Sequence, residues 1–421
     1  MFAAIALPLA FFACGGDSSG DLREAAEFRD DSAASLTGDV DAKTAAPNTS
    51  PAKPFREESV LPYAGTNSPR YTGDGGPAVQ AGLFAPQGLA LDKDGNLFLS
   101  TDKRIRRVEA ATGIITTVAG SGSSLSIEDG GPALKAGFRE PRGLAVDSNG
   151  NLFIADHGTF RVRRVEAATG IVTTIAGGAV PRKAIVMDIG DGGPADQSYV
   201  HEPSDVAVDL QGNLYIVSNH RIRKVDGSSG IISTVTGNGQ RNLTGDGGPA
   251  VKATVAEPEA VAVDSSGNIY IADADNHRVR KIEAATGLIS TLAGVGVFQD
   301  RSAGNMINDY RREGTGAGYS GDGGPAAEAK LRLPNSLDLD TNGDLYIVDA
   351  GVRVRKVDAF TGIISTYFGA EAVTTKGEQG KLAVRTGVVG RITSIAVNKR
   401  GDVFLADSLN NRVHLIPSPT R

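Results

Sequence analysis

Short apolar runs separated by Gly, Asp and Asn fill this chain from about residue 57 to its end. The clearest set is AVAVD (260–264), NIYIAD (268–273), HRVRKIE (277–283) and GLISTLAG (287–294). The runs are rich in Val, Ile, Leu and Tyr and are flanked by turn formers, so each reads as a β-strand. The connections S-S-G-N and A-A-T-G are short enough for antiparallel hairpin turns, with glycine supplying the positive φ. The pattern predicts a four-stranded antiparallel meander, too small to bury its own two faces.

The same set returns along the chain. Each copy opens on GDGGPA or, once, EDGGPA, and the aspartates of these motifs are Asp74, Asp129, Asp191, Asp246 and Asp322. They lie 55, 62, 55 and 76 residues apart, a unit of 55 with insertions of 7 and 21. Self-similarity at this scale predicts a repeat architecture in which each unit covers its neighbours' faces. Full copies run at 86–120, 141–177, 203–237, 258–294 and 334–369, while a sixth, from Arg391 to Ile416, holds three strands and stops. The missing strand lies at the other end, where ESVLPYAG (58–65) precedes GDGGPA as GIISTVTG does elsewhere. The expected fold is all-β: a six-bladed β-propeller of four-stranded blades, its ring closed by an N-terminal strand that completes the last blade.

The unit P-x-G-L-A-V-D-x-x-G-N-L-Y-I-A-D-x-x-N-x-R-V-R-K-V resembles the NHL repeat. The intervening T-G-D-G-G-P-A is similar to the bacterial, teneurin-like branch of that family. The resemblance covers residues 57–421. The sixth copy departs by lacking GDGGPA, and the first is two residues short around Thr101 and Asp102. What the resemblance implies is a propeller that presents a binding face, with no single activity attached.

Composition narrows the function classes. Of 421 residues, 40% are hydrophobic and 22% charged, the balance of a folded protein. A net charge of −6 gives no general attraction to nucleic acid or anionic lipid. The single cysteine, Cys14, excludes a disulfide scaffold and a Cys-rich zinc site. It follows FAAIALPLAFFA (2–13), too short to span a bilayer and suited to a secretory signal. The arrangement resembles a bacterial lipoprotein signal, which implies a signal peptide over 1–13 and an acylated Cys14. Gly15 after the cysteine favours the outer membrane, and the alternative is an ordinary export signal with a periplasmic or secreted product. Residues 14–56, dominated by Ser, Ala, Asp, Gly, Thr and Pro, read as a disordered tether. The lipid anchor is then the only membrane contact expected.

Topology assigns the candidate chemistry to faces. Numbering blade strands from the axis outward, the D-x-x-G-N turn and the turn between strands three and four share one end of the ring. The loop between strands two and three lies at the other end with the crossover between blades, and both insertions fall in crossovers. Function concentrates on variable loops held by a rigid scaffold, so the crossover face is the candidate binding surface. Three constellations are expected there. Asp74, Asp129, Asp191, Asp246 and Asp322 form either a carboxylate ring for calcium or, as favoured, a structural set bonding nearby backbone N–H groups. His157, His220 and His277 stand in two-to-three loops and are the candidate ligands of a metal, although no H-E-x-x-H or comparable motif accompanies them. Tyr310, Arg311 and Arg312 in the long insertion, with Tyr319 beside it, combine aromatic and Arg side chains as binding hot spots do.

The first Arg of each R-V pair (Arg104, Arg161, Arg221, Arg278, Arg353 and Arg412) has in the clearest copies an Asp five residues earlier: Asp156, Asp273 and Asp407. A structural contact across the hairpin is expected. Some NHL propellers bind RNA through a basic face, but the matching loops here are Asp-rich, so no nucleic-acid partner is expected. The resulting expectation is an exported, non-catalytic monomeric scaffold without cofactor, binding an envelope or extracellular protein, peptide or glycan. The alternative, from six-bladed propellers that resemble this one, is a metal-dependent lyase or lactonase with its site at the axial mouth.

Overall fold

The computed structural model describes residues 60–124, 128–178, 190–296, 318–369 and 389–418. The signal segment, Cys14, the tether and Tyr310, Arg311 and Arg312 lie outside the described residues. Six antiparallel sheets follow one another as blades; in the first five the four blade strands run in sequence order, and in blade 1 Gly76–Pro77 is added outside the fourth strand. Blade 4 shows the plan: Pro258–Val263, Ile269–Asp273, Arg278–Ile282 and Ile289–Ala293, from the axis outward. The sixth blade takes Ile392–Val397, Val403–Asp407 and Arg412–Ile416 from the end of the chain and Leu61–Ala64 from near its start. Leu61 pairs with Leu415 and Ala64 with Val413, so the ring closes as the sequence predicts.

Second strands such as Leu152–Asp156 and Ile269–Asp273 are buried at every position, because each blade is packed on both faces. The core is accordingly divided into six clusters, one at each blade boundary. Phe138 joins Phe98 of blade 1 to Ile154 of blade 2, and Ala64, Leu83, Phe404 and Val413 seal the boundary between blades 6 and 1.

GDGGPA does not lie on the crossover face, where the sequence reading placed it. The motif runs along the outermost strand of the blade it introduces, with N–H···O bonds such as Gly75 to Ile115, Gly130 to Val172 and Gly247 to Ile289, each 2.8 Å. The following Ala bonds the turn between strands three and four, for example Ala250 N–H to the Gly287 carbonyl at 2.9 Å. The motif therefore covers the otherwise free outer edge at the rim. Its first glycine is obligatory in blade 4: Gly245 has φ +92°, and a Cβ there would stand 2.6 Å from the Ala253 Cα.

Candidate functional site

The motif aspartates are 35–39% exposed at the rim, and each pairs closely with one buried guanidinium. Arg106, Arg163, Arg223, Arg280 and Arg355 are among the largest fully buried side chains, and they meet Asp74, Asp129, Asp191, Asp246 and Asp322 at 2.6, 2.7, 2.6, 2.7 and 2.6 Å. These are the second Arg of each R-V-R or R-I-R, two positions beyond the neighbour singled out from sequence. Alternation explains the difference, since the two arginines of a strand point to the same face but sit at different depths along the blade. Arg280 also donates to the carbonyls of Thr254 (2.7 Å) and Thr244 (3.1 Å), and Thr291 donates its hydroxyl to Asp246 at 2.6 Å. In Asp322, burial pushes the carboxyl up, but hydrogen bonds from Thr366 and Tyr319 and the Arg355 charge outweigh it and hold the acid below its ordinary range. A calcium ring is not what these groups form. They are distributed around the rim, and among the described residues no three His, Cys, Asp or Glu side chains are grouped to hold a metal.

Tyr319, expected to contact a partner, belongs to this rim cluster. Its hydroxyl donates to Asp322 at 2.7 Å, and its ring lies 3.8 Å from the Arg353 guanidinium and 4.8 Å from that of Arg355. Tyr71 does the same in blade 1, donating to Asp74 under Arg104 and Arg106. The expected Asp–Arg contact across the hairpin occurs in blade 5, where Asp349 and Arg353 are 3.4 Å apart. Asp273 instead meets Arg280 at 3.6 Å, and Asp407 meets His414 at 3.2 Å. The main task of these aspartates is to accept backbone N–H groups at the entrance of their own blade: Arg139 and Glu140 on Asp156, Ala256 on Asp273, Gly390 and Arg391 on Asp407.

The histidines are used between blades. His220 Nδ1 accepts the Glu257 N–H at 3.2 Å, and His277 Nδ1 accepts the Leu333 N–H at 3.0 Å. Asn411 Oδ1 does the same for Ala85 at 2.9 Å. Each acceptor precedes the first Arg of its loop, and each recipient has a positive φ of 42–46° just before the next innermost strand. An accepting Nδ1 has to be unprotonated, which agrees with the environment of His220: burial and the Arg241 charge push it down to about 4, despite a Glu257 carboxylate 3.9 Å from Nε2. His157 stands elsewhere in its loop, in a 3-10 turn over His157–Thr159, and burial followed by the Arg142 charge lowers it too. The three are engaged at successive blade boundaries and do not form one site.

An axial channel of about 250 Å³ runs between the six innermost strands. Its side chains are mostly Ala, Val and Leu, but two carboxylates enter it, Asp205 from blade 3 and Asp338 from blade 5. Asp205 accepts the Val261 N–H at 3.0 Å and Asp338 the Val397 N–H at 2.7 Å, each reaching the next blade. Burial raises both to about 7. Both keep partial accessibility to the lumen, so channel water moderates that shift. No histidine lines the channel among the described residues. The sequence held a signal for both acids: they replace the Gly, Ala or Ser of P-x-G-L-A-V at Gly88, Gly143, Ala260 and Ser394, and the Ala at Ala90, Ala145, Ala207 and Ala262.

The crossover face also exposes apolar side chains. Phe84, Phe160 and Leu409 are 49%, 37% and 68% exposed there, and the Phe160 ring lies against Tyr199 and His201. None of these was singled out in the sequence, where they sit at positions that differ from copy to copy.

A closed ring of six antiparallel blades is a six-bladed β-propeller. The teneurin NHL domain matches residues 60–128, 181–244 and 315–380, and the NHL repeat matches 138–165 and 256–282. The chain belongs to the NHL-repeat propeller family, with teneurin-type segments. Mouse teneurin-1 is 28% identical over 297 residues, 64% of this chain and 10% of teneurin-1. Human teneurin-4 is 31% identical over 240 residues, 54% of this chain and 8% of that protein. This chain thus spans about a tenth of the length of those relatives. Among solved structures, a structural genomics protein of unknown function from Bacteroides thetaiotaomicron superposes with a TM-score of 0.55 at 18% identity, covering 85% of this chain and 75% of that one. An auxiliary nutrient binding protein from Bacteroides ovatus gives 0.54 at 15% identity, covering 86% and 76%. These two likenesses concern the fold.

Proposed function

We propose that this chain is a non-catalytic binding scaffold that recognises its partner with the crossover face, and that it is exported and anchored through Cys14. The reading rests on how the side chains are divided. The repeated aspartates, arginines and histidines hold the ring together, whereas Phe84, Phe160 and Leu409 are exposed on one face at positions where the copies differ. Exposed apolar groups rimmed by polar ones mark interaction surfaces. The opposite face exposes Leu210 and Phe360, each in a turn of its own. The insertion carrying Tyr310, Arg311 and Arg312 belongs by sequence to a crossover, so its aromatic and basic groups suit the same role. The partner is an envelope or extracellular protein, peptide or glycan.

Photo-crosslinking in the native host tests this. A benzophenone side chain in place of Phe84, Phe160 or Leu409 is expected to give one adduct of defined mass, and in place of Leu210 or Phe360 none. Adducts at Leu210 and Phe360 alone, or at no position, would overturn the assignment of the face.

A further inference from the structure

The boundary between blades 2 and 3 has the left-handed recipient seen at three other boundaries but not its side-chain acceptor. At three boundaries, the residue before the first Arg of the two-to-three loop (His220, His277 or Asn411) accepts an N–H from a left-handed residue of the next blade. At this boundary the recipient is present, Glu202 with φ 43°, but the acceptor position holds Phe160, which has no acceptor to offer. Phe160 is itself left-handed, with φ 56°, a conformation that suits Asn and strains a bulky side chain. Phe160 therefore offers no acceptor, holds a strained backbone and leaves an aromatic ring 37% exposed, while His157 of the same loop bonds the Glu202 backbone instead. The strain and the exposed ring both run against stability, so the ring at this position serves something else.

Its surroundings say what. Phe160, Tyr199 and His201 have ring centroids 5.7, 5.8 and 6.4 Å apart, the corners of a nearly equilateral triangle. The rings are inclined to one another by 31°, 44° and 69°, so they make a shallow cup rather than the flat platform that a sugar ring stacks on. A cation seated over the open side lies roughly 5 Å from every centroid, within the ~6 Å reach of the cation–π attraction. A carboxylate stands beside the cup: Glu202 Oε2 is 3.7 Å from His201 Nδ1 and half exposed, and after burial its charge is what raises the Tyr199 phenol. The neighbouring Glu140 is occupied by Arg142 at 2.7 Å, and Arg139 is drawn over the loop to the Gly158 carbonyl at 3.3 Å. Backbone contacts fix the walls: Arg223 donates to the Tyr199 carbonyl at 3.3 Å, and Ser218 accepts the His201 N–H at 2.9 Å.

We propose that Phe160, Tyr199, His201 and Glu202 bind a quaternary ammonium group, and that this is part of what the crossover face recognises. The inference rests on the binding-scaffold reading and adds a ligand chemistry to it. A quaternary ammonium is chosen over a primary one because the latter is strongly hydrated and finds a single acceptor here.

The test uses the full chain with choline as probe, and 3,3-dimethylbutan-1-ol as a neutral compound of the same shape. Titration followed by the ring resonances of 13C-labelled Tyr and His is expected to give a choline dissociation constant of about 1–10 mM, with shifts confined to Tyr199 and His201, and at least ~10-fold weaker binding of the alcohol. Phe160→Asn copies blade 6 and restores the acceptor, so it is expected to raise Tm by about 1–3 °C while weakening choline at least ~5-fold. Glu202→Gln is expected to lower choline affinity and leave the alcohol unchanged. Co-sedimentation with phosphatidylcholine vesicles then separates a lipid headgroup from a soluble compound as its source. Equal binding of choline and the alcohol, no binding of choline, or full choline affinity in Phe160→Asn would overturn the proposal. Crosslinks at Phe84 and Leu409 alongside any of those results would leave the face assignment standing and remove only its cation chemistry.

Discussion

Asp246→Ala probes the tie that each full blade repeats. Arg280 is wholly buried, and its guanidinium makes five close contacts: two to Asp246 (3.0 and 2.7 Å), one to each of two carbonyls (2.7 and 3.1 Å) and one to Asp273 at 3.6 Å. Removing the Asp246 carboxylate leaves the cation buried with two carbonyls and a more distant acid. Breaking a fully buried pair costs about 3–5 kcal/mol; Asp246 is itself 38% exposed and some contacts of Arg280 survive, which puts the expectation near ~3 kcal/mol. An unfolding entropy of about 2.1 cal/mol/K per residue over a ring of roughly 360 residues converts ~3 kcal/mol into a fall in Tm of about 4 °C. Differential scanning calorimetry of residues 54–421 reads that shift directly. The paired variant Asp246→Leu with Arg280→Met removes both charges together and is expected within about 2 °C of the parent, since a packed apolar pair replaces a buried ionic one at little net cost. A single-variant shift below about 1 °C, or a double variant as damaged as the single, would refute the view that the motif aspartate exists to satisfy the buried arginine.

Three further outcomes follow from named groups. Asp205 and Asp338 have folded pKa values raised to about 7 from 3.8, so neither affects stability below pH ~4, and each costs increasingly as pH rises to about 7. Asp205→Asn, which keeps an acceptor for the Val261 N–H, is expected to raise stability by about 2 kcal/mol at pH 8 after allowance for lumen water, and by nothing at pH 3.5; denaturant titration at the two pH values checks it. His220 has a folded pKa lowered to about 4 from 6.5, so its contribution is intact above pH ~6.5 and is lost as pH falls toward 4. His220→Asn keeps the acceptor for Glu257 and is expected to remove about 1–2 kcal/mol of that acid sensitivity, read from Tm between pH 7 and 4.5. Deleting residues 1–64 removes the strand that pairs with Arg412–Ile416, and hydrogen exchange is expected to lose protection in blade 6 before any other blade; uniform protection would show that the seam does not depend on Leu61–Ala64.

The ring, its blade count and the way it closes were legible because they rest on periodic features: β-runs of fixed spacing, turn glycines and a spare strand at the far end. Depth was not legible. Arg278 and Arg280 are two residues apart on one strand and face, and a linear pattern does not say that Arg280 reaches the rim motif while Arg278 stays near the loop, 3.9 Å from the same carboxylate. Nor does it say that GDGGPA lies along the outer strand, because that depends on the path between blades rather than on local preference. His220 and His277 share a position with Asn411, and the shared need is a side-chain acceptor, which no metal-ligand pattern reveals. Asp205, Asp338 and Phe160 could be found only by asking where one copy departs from its neighbours.

Those departures also separate scaffold from site without any other sequence. Five copies carry both the motif aspartate and the second Arg of R-V-R, and the sixth carries neither, with His414 in place of the arginine and no GDGGPA before its blade. A ligand-binding aspartate would have no reason to vanish together with a buried arginine one strand away. A counter-ion would. His414, turned instead toward Asp407 at 3.2 Å, needs no partner from the rim, so the loss of both groups leaves no buried charge behind. Phe160 lacks that balance: Glu202 keeps a backbone bond with His157, but nothing in the loop offsets the exposed ring and its left-handed backbone. A loss compensated within the ring reads as architecture, and an uncompensated one as the place where the molecule meets something else.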